Sequence, residues 1–155
     1  MTDRHWPQDD IDCMSAALAE AKVAMDNGEV PVGAVLVENG TIVSRAHNCS
    51  IMNKDPSGHA EIAALRTAAQ SRDNHRLPGS TLYVTLEPCI MCAGALSQAR
   101  VGRVVFGAYD KKAGALGSVE DLSTSRALNH HYEVNGGLRA DESMALLRAF
   151  FQSRR

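Results

Sequence analysis

Two short motifs, each at the start of a predicted helix, constrain this chain more than any other feature. The first is His59-Ala60-Glu61 and the second is Pro88-Cys89-Ile90-Met91-Cys92. An imidazole and two thiolates are good zinc ligands, so the fold must bring the starts of these two helices together. Three protein ligands leave the fourth tetrahedral position for water, which is typical of a catalytic zinc ion. The partial positive charge of a helix N-terminus also favours the cysteine thiolates that a metal needs.

Glu61 is the candidate general acid–base of this site. It follows His59 by two residues, so on an ideal helix the two side chains point in different directions. Both can serve one site only near the helix end, where a cavity wraps the terminus. Glu61 then lies beside the metal without binding it. A proton shuttle placed in this way typically contributes about 10²–10⁴-fold in rate.

The C-x-x-C pair alone also allows two other interpretations. A structural zinc site needs a fourth protein ligand, for which Cys49 and His47 are scattered candidates. A thioredoxin-like dithiol also follows a strand and opens a helix. Neither interpretation explains the His-x-Glu motif one helix earlier, so we favour a catalytic zinc ion. The other histidines are expected at the surface or in hydrogen bonds: His5, His47, His75, His130 and His131.

The hydrophobic pattern predicts alternating strands and helices. Helices are predicted over residues 9–26, 59–70, 89–98 and 140–152, and strands over 32–37, 41–46, 81–85, 103–106 and 132–134. Asn39-Gly40 predicts a hairpin turn, and residues 110–130 are predicted as loops with short helical turns. This order predicts a single α/β domain over residues 1–155, with three α-β-α layers, a mixed five-stranded sheet and helices on both faces.

Composition narrows the functional classes. The chain has 155 residues, 45% of them hydrophobic and 22% charged, which is near the globular average. The net charge of −2 excludes a globally basic nucleic-acid binder. Residues 1–50 hold 3 basic and 8 acidic side chains and residues 51–155 hold 13 and 10, so a local basic surface is compatible with the count. The polar N-terminus and the lack of a long apolar stretch lead us to expect a cytoplasmic protein outside membranes.

H-x-E followed by P-C-x-x-C is the signature of the zinc nucleobase deaminases. The sequence resembles the cytidine deaminase-like superfamily and, within it, the bacterial tRNA-specific adenosine deaminases (TadA type). The resemblance runs from about Glu29 to Phe151. The zinc motifs mark the superfamily, and the later stretches with Phe150-Phe151 mark the tRNA-editing branch. The matching stretches are residues 30–37, 55–56, 59–62, 81–89, 91–95, 102–108, 114–118 and 129–130.

The resemblance implies a homodimer that hydrolytically deaminates adenosine to inosine at wobble position 34 of a tRNA anticodon. It implies one Zn²⁺ per subunit on His59, Cys89 and Cys92, with Glu61 as the proton shuttle. It implies no membrane and no protein cofactor. By the same resemblance, the substrate-binding residues are Asn48 and the main-chain N–H of Ala60 for the base, and Asp110 for the neighbouring ribose.

The alternative interpretation of Asn48 is an ordinary strand-end turn residue, and that of Asp110 is a solvated loop acid. One ring of Phe150 and Phe151 is a candidate for stacking on a base, the alternative being two core aromatics. Cys49 stands where relatives usually carry Arg, and Gly58 replaces the usual Ala. Each of the basic candidates is, taken alone, expected to be a solvated charge, and only a set on one rim would form a phosphate-binding surface. These candidate phosphate contacts are Lys111, Lys112, Arg126, Arg139, Arg148, Arg154 and Arg155.

Two alternatives to tRNA editing remain. One is a small-molecule nucleobase deaminase acting on guanine or cytosine with the same zinc chemistry. The other is a non-enzymatic, zinc-stabilised binding module. The two deaminase hypotheses predict that Glu61→Gln keeps the zinc and abolishes turnover, whereas the binding module predicts a harmless substitution.

Overall fold

The computed structural model describes residues 5–154, which form a five-stranded sheet with helices on both faces. No helix in this range combines the length and apolar character needed to cross a membrane. The elements are α1 (Gln8–Asp26), β1 (Gly33–Glu38), β2 (Thr41–His47), α2 (Ala60–Arg72), β3 (Thr81–Leu86), α3 (Ile90–Gln98), β4 (Arg103–Ala108), a 3₁₀ turn (Leu122–Thr124), β5 (Glu133–Gly136) and α4 (Ala140–Gln152).

The sheet is mixed, as the sequence predicts. Its strand order is β2-β1-β3-β4-β5. The β1 strand pairs antiparallel with β2 and β3, whereas β3, β4 and β5 run parallel. Asn39 and Gly40 join β1 to β2 with φ angles of 50° and 75°, the left-handed conformation that a tight hairpin turn requires.

The two faces of the sheet support two separate helical layers, because side chains alternate along each strand. Leu82, Val84 and Val104 pack with α2 and α3. Tyr83 and Val105, one position along, pack with α1. The α4 helix contacts α1, β3 and β4. This arrangement confirms the predicted three layers.

Several element boundaries differ from the prediction by one or two residues, and three of these differences involve the candidate site or the edge of the sheet. His59 and Cys89 have extended backbones and precede α2 and α3 instead of opening them. The last strand begins one residue later than predicted and continues to Gly136, in register with β4 from Arg103 opposite Glu133. Tyr132 precedes this strand because its hydroxyl donates to the main-chain oxygen of Ala93 in α3.

A buried ionic cluster fixes α1 to the sheet. Asp10 is 3% exposed and accepts two hydrogen bonds of 3.0 Å from the Arg103 guanidinium. The Tyr83 hydroxyl donates to the same carboxylate at 2.6 Å. Burial opposes the charged form of Asp10, but the bonds from Arg103 and Tyr83 together outweigh it and lower the Asp10 pKa. The cluster therefore stabilises the fold through contacts far apart in sequence.

Candidate metal centre and active site

The starts of α2 and α3 lie side by side and bring three potential metal ligands together. His59 Nδ1 lies 3.5 Å from Cys89 Sγ and 3.4 Å from Cys92 Sγ. In a tetrahedral zinc site, bonds of about 2.3 Å to sulfur and about 2.05 Å to nitrogen place these atoms about 3.6 Å apart. The three side chains therefore have the spacing and the donor chemistry of a four-coordinate site with one open position.

The cysteines are electrostatically prepared for metal binding. A hydrogen bond from Cys92 and the contact with His59 lower the pKa of Cys89 to about 3, against the opposing effect of burial. The hydrogen bond to Cys89 and burial raise the pKa of Cys92. One thiolate is thus favoured by the protein alone, and a bound cation favours the second, because metal ligands must be deprotonated.

Glu61 lies in the first turn of α2 beside this group. Its side chain is 4% exposed, and burial raises its pKa to about 7 in spite of its own backbone N–H and the neighbouring His59. A carboxyl group with a pKa near neutrality can both accept and donate a proton. His59 and Glu61 both lie at the very start of α2, where two side chains spaced two residues apart can face one site.

Asn48 lies against the start of α2, where its side chain binds the main chain of Ala60. Asn48 Oδ1 accepts from the Ala60 N–H at 2.9 Å. The Ala60 N–H, a predicted contact for the substrate base, is therefore held by Asn48 in this structure. The same bond orients the carboxamide, so that the Nδ2 amino group is the donor that remains for a substrate.

Asp110 follows β4 and borders an open groove of about 620 Å³. Its Oδ1 accepts from the main-chain N–H groups of Lys112 and Ala113 at 3.0 and 3.1 Å. Asp110 therefore shapes a turn instead of being the freely solvated acid of the alternative interpretation. Lys111, Lys112 and Arg148 border the same groove, and all three are exposed.

The two terminal phenylalanines have different environments. Phe150 is 5% exposed and packs in the core, with the Arg154 guanidinium 4.3 Å from its ring centre. Phe151 is 51% exposed and borders the groove. Of the two rings, only that of Phe151 is therefore accessible from the groove.

The other predicted contact residues are dispersed. Arg139 pairs with Glu142, Arg154 donates to the Gly28 carbonyl, and Arg126 is exposed away from the groove lining. Arg155 lies outside the described residues. Of the alternative metal ligands, His47 pairs with Glu20, and Cys49 Sγ donates to the Gly58 carbonyl. Among residues 5–154, the potential metal ligands that converge are His59, Cys89 and Cys92.

Two buried glutamates beside the site were not found by the sequence analysis. Glu87, 2% exposed, precedes Pro88-Cys89 and binds the loop that carries Asp110. Glu29, also 2% exposed, accepts from the N–H groups of Ile51 and Met52 in the loop that follows Asn48. The only sequence signal is an acidic residue next to an apolar strand. The hydrogen-bond partners of such a residue can be identified only from the folded structure.

Comparison with known proteins defines the class. The model of the MafB19-like deaminase family matches residues 8–155, so the fold and its His/Cys/Cys group are those of a deaminase. A tRNA-specific adenosine deaminase of Haemophilus influenzae is 50% identical over 143 residues, covering 92% of this chain and 83% of the relative. The enzyme of that name from Bacillus subtilis is 46% identical over 142 residues, covering 92% and 88%. The chain belongs to the family of the tRNA-specific adenosine deaminases.

Solved structures agree with this placement. A structure from studies of A-to-I editing by tRNA:A34 deaminases has a TM-score of 0.86 and 43% identity, covering 88% of this chain and 99% of that one. A guanine deaminase from Bacillus subtilis has a TM-score of 0.62 and 32% identity, covering 71% and 70%. Both the fold and the sequence are nearer to the tRNA enzyme.

Proposed function

We propose that this protein deaminates adenosine 34 of a tRNA anticodon to inosine, with one zinc ion per chain. The observation that carries the proposal is the placement of Glu61 beside the converging His59, Cys89 and Cys92. The curated relatives at 50% and 46% identity supply the substrate class. Hydrolysis adds one water molecule to the base and releases the exocyclic amino group as ammonia.

His59, Cys89 and Cys92 hold the zinc ion in this proposal. When bound, the ion acts as a Lewis acid that makes a water molecule reactive at neutral pH. The Glu61 carboxylate would take one proton from the attacking water and deliver it to the ring nitrogen. It would then take the proton left on the added hydroxyl and deliver it to the departing amino group, which leaves as ammonia; this is the general acid–base role of the glutamate in this chemistry. Its burial keeps the transferred proton away from bulk solvent.

Asn48 is the proposed base-recognition residue. Its Oδ1 is held by the Ala60 N–H, so Nδ2 donates to an acceptor on the edge of the adenine. Ala60 then acts through Asn48, and its N–H reaches the base only if this bond is exchanged. Asp110 is the proposed contact for the neighbouring ribose, through the carboxylate oxygen that its own turn does not use.

The groove supports an RNA substrate over a free base. Lys111, Lys112 and Arg148 supply positive charge, and Phe151 supplies an exposed aromatic face. Basic side chains with an aromatic platform are the combination that binds single-stranded nucleic acid. An anticodon loop presents its bases unpaired, so extrusion of the target adenosine costs little.

We further propose a homodimer in the cytoplasm. Ile51, Met52 and Ile90 are 65%, 60% and 64% exposed, and large apolar side chains so close to the site are consistent with a covered surface. The four cysteines are free thiols, which fits a reducing compartment. Sedimentation of the protein and of Ile90→Glu tests the dimer. A monomeric unaltered protein would contradict it.

Guanine deamination is the second candidate, favoured by the 32% identity to the guanine deaminase from Bacillus subtilis. One assay separates the two. The protein is incubated with an anticodon stem-loop carrying adenosine at position 34, and separately with free adenosine, guanine and cytosine. We expect inosine in the stem-loop alone. Turnover of guanine with an untouched stem-loop would assign the second function.

Two variants complete the assay. Glu61→Gln is expected to retain one zinc ion per chain, measured by elemental analysis, and to lose at least about 10²-fold in turnover. Asp141→Asn is the control, because it changes an exposed carboxylate outside the groove lining. Full activity of Glu61→Gln would exclude the acid–base role. A metal other than zinc in the purified, active protein would contradict the proposal that zinc is the cofactor.

A further inference from the structure

Glu87 connects the metal site to the loop that borders the groove. Its carboxylate accepts four hydrogen bonds from that loop. Oε1 accepts from the Asp110 N–H at 3.0 Å and from the Ser118 hydroxyl. Oε2 accepts from the N–H groups of Leu116 and Ser118 at 3.0 and 3.1 Å. One side chain therefore binds both ends of the segment 110–118.

The loop is built around this carboxylate. A Cβ atom at Gly114 would lie 2.3 Å from Glu87 Cδ, so the chain passes against the carboxylate where only glycine fits. Ala115 and Leu116 are 2% and 6% exposed and pack in the core. Between the two anchored ends of the loop and next to the anchored Asp110, Lys111 and Lys112 line the groove.

Glu87 is also close to the metal ligands along the chain. Pro88, with its fixed φ angle, is the one residue between Glu87 and Cys89. Leu86 at the end of β3 is in register with Ala108 at the end of β4, and the Glu87 N–H donates to the Ala108 carbonyl at 2.8 Å. The position of the loop relative to Cys89 is therefore fixed through a single residue, Pro88, whose backbone is conformationally restricted.

We propose that Glu87 is a positioning residue that sets Asp110, Lys111 and Lys112 at a fixed distance from the metal ligands, so that the RNA enters with its target adenosine in reach. The role rests on the proposed tRNA deaminase function. A burial this complete is costly for a carboxylate unless every oxygen is hydrogen-bonded, and here the compensating donors all belong to the groove-forming loop. Glu87 itself contacts neither the metal ligands nor the base in this assignment.

The test compares Glu87→Gln with the unaltered protein on the stem-loop substrate. The glutamine keeps the size of the side chain but presents an amino group to N–H donors. We expect KM to rise on the order of tenfold or more, with kcat within about twofold and the zinc content unchanged, since misplacement of a substrate contact acts on binding. A purely structural role instead predicts losses of thermal stability and zinc with no selective rise in KM.

Two further variants keep the test decisive if Glu87→Gln folds poorly. Ser118→Ala removes the one side-chain donor and should raise KM by a smaller factor. Gly114→Ala keeps the carboxylate but displaces it through the added Cβ, and should reproduce the rise in KM. Asp121→Asn is the matched control, because that carboxylate binds the neighbouring turn at Ser123 without touching Glu87. Unchanged KM in both Ser118→Ala and Gly114→Ala would overturn the proposal.

Hydrogen exchange separates failure of this inference from failure of the proposed function. Faster exchange at residues 110, 116 and 118 in Glu87→Gln, with zinc retained, supports the positioning role whichever substrate is used. If the unaltered protein edits the stem-loop and the variant has unchanged exchange and KM, Glu87 is not a positioning residue and the proposed function stands. If the unaltered protein makes no inosine, the function fails, and exchange alone decides the role of Glu87.

Discussion

The side chain of Asn48 closes the start of α2 by accepting a hydrogen bond of 2.9 Å from the Ala60 N–H. This bond links the end of β2 to the residue between His59 and Glu61. In the proposed function it gives Asn48 two separable duties. The carbonyl oxygen holds the helix start, and the amino group would recognise the base.

Substitution of Asn48 should separate these duties. Asn48→Asp keeps an acceptor for the Ala60 N–H, and a negative charge at a helix start is favourable, so we expect an unchanged melting temperature. Loss of the donor should lower kcat/KM about 10²-fold, since a recognition bond to a buried base edge is lost. Asn48→Ala should lose activity and also about 1 kcal/mol of unfolding free energy with the cap. Equal melting temperatures for both variants would contradict the capping role.

The buried pair of Asp10 and Arg103 should make stability depend on pH. The folded-state pKa of Asp10 is lowered, so its stabilisation is present above the unfolded-state pKa of about 3.9 and is lost as pH falls through the folded-state value. At pH 7, Asp10→Asn should cost about 2–4 kcal/mol, because the Arg103 guanidinium loses its buried charge partner and keeps only its contacts with Asn135 and Glu133. Urea unfolding should show this difference shrinking below about pH 4.

Asp12→Asn is the control for that measurement, because Asp12 is exposed on the same helix and binds only Gln8 among the hydrogen bonds of α1. It should leave the unfolding free energy within about 0.5 kcal/mol of the unaltered value. An Asp10→Asn difference that persists undiminished in acid would show that the side chain contributes through packing and not through its charge.

The convergence of His59, Cys89 and Cys92 is predictable from the sequence because these potential metal ligands lie in two short motifs whose spacing is local. The sheet and helices are predictable for the same reason, since the apolar runs over residues 82–84 and 104–106 are visible in the chain itself. Asp10 and Arg103 are 93 residues apart in sequence, and Glu87 meets Ser118 across 31 residues. Nothing local distinguishes these acids from solvated ones. Their roles depend on which strands become neighbours.

The orientation of the last two aromatic residues was likewise left open by the sequence, because Phe150 and Phe151 are chemically identical neighbours. Their burial is decided by the direction in which α4 faces the sheet. The helical period turns successive residues about 100° apart, so only one of the two can face the core. The structure places Phe150 there and leaves Phe151 at the groove.

Alanine substitution should therefore affect mainly RNA binding at Phe151 and mainly the stability of the fold at Phe150. Phe151→Ala should weaken stem-loop binding by about 1–3 kcal/mol through lost stacking, and should cost about 1 kcal/mol of stability through the edge contact with Phe150. Phe150→Ala should cost about 3–5 kcal/mol of unfolding free energy. Fluorescence anisotropy with a labelled stem-loop and thermal unfolding measure the two effects. Unchanged RNA affinity in Phe151→Ala would remove this ring from the binding surface.

The lysines at the groove should be visible in the salt dependence of RNA binding. Each phosphate neutralised on a single strand contributes about 0.7 to the slope of log affinity against log salt. The double variant Lys111→Ala with Lys112→Ala should therefore lower the magnitude of that slope by about 1.4 if both lysines meet phosphates. Lys22→Ala, on α1 and outside the groove lining, is the control for the loss of a surface lysine and should leave the slope unchanged. Binding is measured as stem-loop affinity across a potassium chloride series. A slope that is the same in all three proteins would show that the groove does not carry the phosphate backbone, whatever the effect on affinity at a single salt concentration.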